Sequence, residues 1–190
     1  MPPMTSGPAA PLTTAADLLR MVNARETIEL YAGQPVVKEG HGGWSGPTCT
    51  AISARLYNHV HPNRLGWIGD AQTAYLLAKG PDWVCIPDVS YVSRLRLPQL
   101  PARGFIPGPP DLAVEVRSPG ETWAHTIEKG GIWVAFSTPL VWCVDAIGRR
   151  AVSMRGPSVA LEHKKSDALS GDPVLPGFSI RLADLFSAFE

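Results

Sequence analysis

Residues 111–144 constrain this chain more than any other stretch. Asp111–Arg117 (DLAVEVR) alternates strictly: Leu112, Val114 and Val116 fall on one side, and Asp111, Ala113, Glu115 and Arg117 on the other. That period predicts a β-strand with one face on the core and all the polarity on the opposite face. Ser118-Pro119-Gly120-Glu121 follows and reads as a capping box, with proline at the first helical position. The helix it opens is expected to run to about Phe136, with Thr138-Pro139 ending it. Leu140–Val144 (LVWCV) is apolar throughout, the mark of a fully buried central strand.

The flanking segments extend this pattern. Thr13 or Thr14 can cap a helix over Ala15–Ala24. Ile28–Tyr31 and Val36-Val37 flank Ala32-Gly33-Gln34 and predict a β-hairpin. A glycine-rich loop, Gly40–Pro47, leads to a helix over about Thr48–Val60, which Pro62 stops. Short strands are expected at Gly66–Ile68, Thr73–Leu77, Trp83–Ile86 and Asp88–Val92, then a proline-rich loop over Leu97–Pro110. Arg150–Met154 should pair with the buried strand through a turn at Ile147-Gly148. A strand near Val159 and a helical turn at Leu182–Phe186 complete the order. The expected fold is α/β (α+β): a central mixed sheet with helices packed on it.

With 190 residues, 45% of them apolar, one domain over residues 13–190 with its own core is expected, after a loose tail at 1–12. Lys+Arg and Asp+Glu number 17 each, so global charge points to no partner. Cys49, Cys85 and Cys143 lie far apart in apolar segments with no zinc spacing. They are expected as buried, reduced thiols, which favours a cytoplasmic setting. No secretory signal and no membrane-spanning run is expected.

The chemistry points to Asp88, Glu115 and Lys129. Two carboxylates facing one cleft suit a hard cation such as Mg²⁺, which takes oxygen ligands and keeps several waters. Such an ion neutralises phosphate charge and acidifies an attacking water, and an ammonium nearby stabilises the extra negative charge. Of the two Pro-Asp pairs, Pro110-Asp111 shares a strand with Glu115 but stands about 13 Å from it along that strand. Asp88 belongs to a different strand. If the two strands are neighbours, about 4.8 Å apart, chelation becomes feasible.

The segments IPDVSYVS (86–93), PPDLAVEVRSP (109–119), the Lys129 helix, LVWCVD (140–145) and LPGFSIRLADLF (175–186) resemble the Uma2 family of endonucleases, of the PD-(D/E)XK superfamily. The likeness runs from about Glu29 to Phe186 and includes Glu29-Leu30 with Gly33 in the first hairpin. It implies a restriction-endonuclease-like core, often homodimeric, that hydrolyses phosphodiester bonds of DNA with Mg²⁺ or Mn²⁺. The paired acidic ligands fall on Asp88 and Glu115. The superfamily's usual lysine position holds Arg117, whereas this family carries a lysine in the following helix, matching Lys129. Two departures stand out: Gly130-Gly131 follow that lysine, and Ser137 replaces a terminal glycine.

Other candidates are weaker. Arg117 is expected to partner Glu115 or Asp111, and His41 in the glycine-rich loop could touch substrate. The remaining histidines have no partner at ligand spacing. Arg149, Arg150, Arg155, Lys164 and Lys165 could line DNA or guard a sheet edge. Two rival functions stay open: a nuclease fold without turnover that binds nucleic acid or protein, motivated by Gly130-Gly131, and a metal-assisted phosphoester reaction on a small substrate.

Overall fold

The computed structural model describes residues 12–21, 27–38, 40, 42–156 and 159–187. His41 and the N-terminal tail to residue 11 lie outside the described residues. Helix α1 (Ala15–Met21) opens with a reciprocal cap: Thr14 Oγ1 accepts from Asp17 N, and the Asp17 carboxylate accepts from Thr14 N. The rest of the helix expected to residue 24 is outside the described residues. Strands β1 (Thr27–Tyr31) and β2 (Gln34–Lys38) form the expected hairpin. Its two-residue turn, Ala32-Gly33, has both φ angles positive, +51° and +76°, as the twist of a tight hairpin demands.

Helix α2 (Ser45–Val60) begins three residues earlier than expected, with Pro47 in its first turn, where no intrahelical N–H is lost. Strands β3 (Gly66–Asp70), β4 (Tyr75–Ala78), β5 (Trp83–Cys85) and β6 (Val89–Ser93) follow. The proline-rich loop holds one short strand, β7 (Ile106–Pro107), which pairs parallel to β4. Strand β8 (Leu112–Val116), helix α3 (Trp123–Ala135) and strand β9 (Leu140–Asp145) form a crossover unit in which β8 and β9 run parallel. Strands β10 (Arg150–Met154), β11 (Ala160–Lys164), β12 (Ala168–Ser170) and β13 (Ser179–Arg181) and helix α4 (Leu182–Phe186) complete the order.

The central six-stranded sheet has the order β11-β10-β9-β8-β6-β3, and only the β8–β9 pair is parallel. A five-stranded sheet, β2-β1-β5-β4-β7, stands beside it. One face of the central sheet packs Leu112, Val114, Val116, Leu140, Trp142 and Val144 against Ile52 and Leu56 of α2 and Leu182 and Leu185 of α4. The other face packs Ala113, Val141 and Cys143 against Trp133 of α3 and against Tyr75 and Cys85 of the second sheet. The mixed sheet flanked by helices is therefore as expected.

The polar face of β8 is covered as well: all five residues of the strand are buried, because α3 and the neighbouring sheet lie over that side. One local expectation needs correction. Ser118–Glu121 is a turn ahead of α3 and not its cap. Glu121 does reach back to accept from Ser118 N at 3.2 Å, but Glu121 N donates to the Ser118 carbonyl. The helix starts at Trp123, where Thr122 Oγ1 accepts from His125 N. Thr122 offers the extended backbone and side-chain acceptor that an N-cap needs.

Candidate active site

The pairing of β6 with β8 sets the site. The register Tyr91↔Leu112, Ser90↔Ala113, Val89↔Val114, continued one step, places Asp88 opposite Glu115. Residues opposite each other in an antiparallel pair present their side chains to the same face. Asp88 N donates to the Val114 carbonyl at 3.0 Å, and Asp88 Oδ2 accepts from Val116 N at 2.7 Å. These bonds clip the carboxylate to the end of β8. Asp111 sits at the other end, where it accepts from Ser93 N at 2.6 Å and pairs with Arg96 at 3.2 Å. It is a strand-entry residue, as the spacing argument requires.

Both acids are 2% exposed. Glu115 Oε1 accepts from the Trp133 indole at 2.7 Å. Its Oε2 is buried and receives no well-aligned hydrogen bond, although Lys129 Nζ stands 3.1 Å away as an ion-pair partner. Lys129 also lies 3.3 Å from Glu121 Oε1. Trp133 and Lys129 are four residues apart on α3 and so share a helix face, one orienting each side of the same carboxylate.

The closeness of α3 depends on Gly130. A Cβ there would stand 2.5 Å from Cys143 Sγ and 3.3 Å from Met154 Cε, so a side chain would push the helix off the sheet. Gly131 faces open space. The glycine after Lys129 is thus a packing requirement that brings the lysine to Glu115, and Ser137 takes up the left-handed turn after the helix with φ +68°.

Sequence reasoning missed two further members and placed a third only in the first hairpin. Lys38, at the end of β2, donates to Asp88 Oδ1 at 2.8 Å and to the Ile86 carbonyl. Glu29 accepts from Ile86 N at 2.6 Å and from the Tyr31 hydroxyl at 3.1 Å. Trp133 has the i, i+4 relation to Lys129 as its only sequence signal. Lys38 has none, because the hairpin register and the seating of β1 on β5 bring it in. Arg117 does not partner Glu115 or Asp111: it pairs with Asp145 at 3.2 Å and donates to the Glu121 carbonyl. Its strand neighbour across β9 supplies a nearer, fully buried carboxylate.

A cavity of about 390 Å³ opens on this cluster, lined among others by Glu29, Lys38, Asp88, Glu121, His125 and Lys129. Burial, reinforced by Asp88, pushes the Glu115 carboxyl up to about 7, against the opposing pull of Lys129, Lys38 and Trp133. Burial also raises Glu29 above the ordinary carboxylate range. The same burial works against the ammonium of Lys129, but Glu115, Asp88 and Glu121 outweigh it and hold its pKa above the usual lysine value. Lys38 is held up in the same way, with Asp88 as the largest support.

Four carboxylates, Glu29, Asp88, Glu115 and Glu121, thus surround two ammoniums, Lys38 and Lys129. Among the described residues, no three His, Cys, Asp or Glu side chains converge as a complete metal-ligand set. Two acids with oxygen donors, one of those oxygens without a hydrogen bond, and an excess of negative charge suit a hard divalent ion that keeps waters in most positions. The three cysteines are free and buried, with thiol pKa values raised by burial, and are not part of a ligand set. No helix among the described residues is long and apolar enough to cross a membrane.

Comparison with known proteins agrees with this architecture. Among solved structures, "a putative nuclease belonging to DUF820 from Anabaena variabilis ATCC 29413" superposes with a TM-score of 0.74, over 92% of this chain and 97% of that one, at 17% identity. At that identity the likeness is one of fold. A comparison with curated proteins found no match. The sequence family described as "Putative restriction endonuclease" matches residues 15–183, nearly the whole described chain. The chain belongs to the Uma2 family.

Proposed function

We propose that this protein is a divalent-metal-dependent endonuclease that hydrolyses phosphodiester bonds of DNA, with Asp88 and Glu115 as the ligands of Mg²⁺ or Mn²⁺ and Lys129 as the catalytic cation. The observation that carries the reading is the juxtaposition of two buried acids across the β6–β8 pair, with Lys129 Nζ 3.1 Å from Glu115. Even paired, buried charges give up hydration that an apolar core would not lose. A costly cluster of this kind, opening on a cavity, supports a role in chemistry. The family's description, "Putative restriction endonuclease", supports DNA as the substrate class.

The chain's own residues have separable tasks. Asp88, one of the residues lining the cavity, is fixed at Oδ2 by the Val116 amide, with Lys38 at Oδ1. Trp133 holds Glu115 by one oxygen and leaves the other for coordination. Lys129 stays charged and can support negative charge developing on a phosphate in the cavity. When bound, the ion supplies charge neutralisation and a more acidic water. The Gly130-Gly131 pair, which motivates a non-catalytic module, serves packing at its first position and leaves Lys129 in place.

The test is incubation of purified protein with supercoiled plasmid and Mg²⁺ or Mn²⁺, beside Asp88→Asn. Nicking by the parent protein that chelator and the substitution both abolish is the expected result. Equal nicking by both proteins, or none by the parent across ions and pH, overturns the reading.

A further inference from the structure

Of the two ammoniums in the cluster, Lys129 comes from α3 and Lys38 from the neighbouring five-stranded sheet. Lys38 ends β2, an edge strand whose first four residues are exposed, yet its own side chain is 6% exposed. Its ammonium occupies the Oδ1 atom of Asp88 at 2.8 Å, and that carboxylate's Oδ2 is already bonded to Val116 N. Lys129 meanwhile serves Glu115 and Glu121. The two lysines thus divide the acids between them. A divalent ion drawing on Asp88 and Glu115 together would meet the Lys38 charge on one of its ligands. Two cations cannot share that oxygen without strong repulsion in a buried setting. A lysine on a four-carbon stem can leave by side-chain rotation alone, without moving the hairpin.

We propose that Lys38 is the resident cation of the ion-free site: it neutralises Asp88 until a divalent ion displaces it, and it then serves the substrate phosphate as a second positive group beside Lys129. This rests on the reading of Asp88 and Glu115 as ligands. It makes Lys38 a competitor of the metal and an ally of the substrate. Those two roles predict opposite signs for one substitution, which a purely structural lysine cannot produce.

The experiment measures Mn²⁺ affinity of the full chain by calorimetry or by electron paramagnetic resonance, without DNA, for the parent, Lys38→Met, Lys38→Gln, Lys38→Arg and Glu115→Gln. Removing the competing charge in Lys38→Met should tighten Mn²⁺ binding by about tenfold or more. Lys38→Gln keeps a hydrogen-bond donor for Asp88, guards against misfolding of the first variant, and should shift affinity the same way. Lys38→Arg should stay near the parent. Plasmid turnover should fall in the Met and Gln variants while their ion affinity rises. Unchanged or weaker Mn²⁺ binding in both, with Glu115→Gln abolishing it, overturns the role of Lys38 alone. Parent-like binding by Glu115→Gln, or no binding by the parent and by both uncharged Lys38 variants, overturns the metal-site reading and this inference with it. Binding gained only when Lys38 is neutralised supports the inference.

Discussion

The two faces of β8 are built from alternate residues of one strand and do opposite things. Leu112, Val114 and Val116 meet α2 and α4 through an all-hydrocarbon contact. One residue over, Glu115 is buried to the same degree beneath α3, with Asp88 across from it. The first face stabilises the fold by removing apolar surface from water, about 25 cal/mol per Å². The second gives up part of that stability, because charged groups lose hydration there. The crossover β8–α3–β9 therefore couples them: the apolar face fixes the strand, and the strand fixes the acid.

Substitutions on the two faces should separate cleanly. Glu115→Gln should lower DNA cleavage by about 10³-fold, the several kcal/mol that charge stabilisation supplies, while leaving the protein folded. Leu56→Ala on the other side should cost about 3 kcal/mol of stability in chemical denaturation, with little change in turnover by the folded fraction. A Glu115 variant that unfolds, or a Leu56 variant that is stable but inactive, breaks the division.

The pH dependence sharpens it. Glu115 titrates near 7 in the folded, ion-free protein but near 4.5 when exposed. Between these values the native state holds a proton that the unfolded chain has released. The stability this contributes is complete below about 4.5 and is lost as pH rises through 7. Measured in chelator, the parent should lose up to about 3 kcal/mol over that range relative to Glu115→Gln, which has no proton to lose. Parallel pH profiles for the two proteins would contradict the assignment.

A smaller effect is expected where the two functions touch. Gly130→Ala gains helix propensity but sets a Cβ against Cys143 Sγ, and should destabilise by about 2 kcal/mol. Adding Cys143→Ala should restore part of that loss, a coupling readable in a double-mutant cycle. Smallest of all, Trp133→Phe keeps the ring packing and loses the indole donor to Glu115 Oε1. Mn²⁺ affinity should weaken by about tenfold, with stability changed little.

The sequence made one half of this comparison easy to read and hid part of the other. Period-two alternation in 111–117 identified which side chains share a face, and LVWCV identified the buried strand beside it. Alternation cannot say what covers the polar face, so the contacts of Trp133 and Lys129 with Glu115 had no signal in it. Asp88 was preferred to Asp111 on the condition that its strand neighbours β8, and β6 does pair with β8. Lys129 was legible as the ammonium on the helix after Glu115, and the resemblance pointed to it as well; the glycine after it reads as a defect in the sequence, whereas a Cβ there would meet Cys143 Sγ. Lys38 was illegible because its place depends on a hairpin in one sheet meeting an acid in another. The start of α3 was misread because Ser118 and Thr122 both offer capping chemistry, and the turn at Pro119-Gly120 decides between them.

The most direct measurement is the anomalous difference map of a crystal of the full chain soaked in Mn²⁺. The account predicts one strong peak between Asp88 and Glu115, about 2.2 Å from an oxygen of each, as an oxygen-liganded divalent ion requires. A saturated crystal with its Mn²⁺ elsewhere, and both carboxylates still held by Lys38 and Lys129, would contradict it.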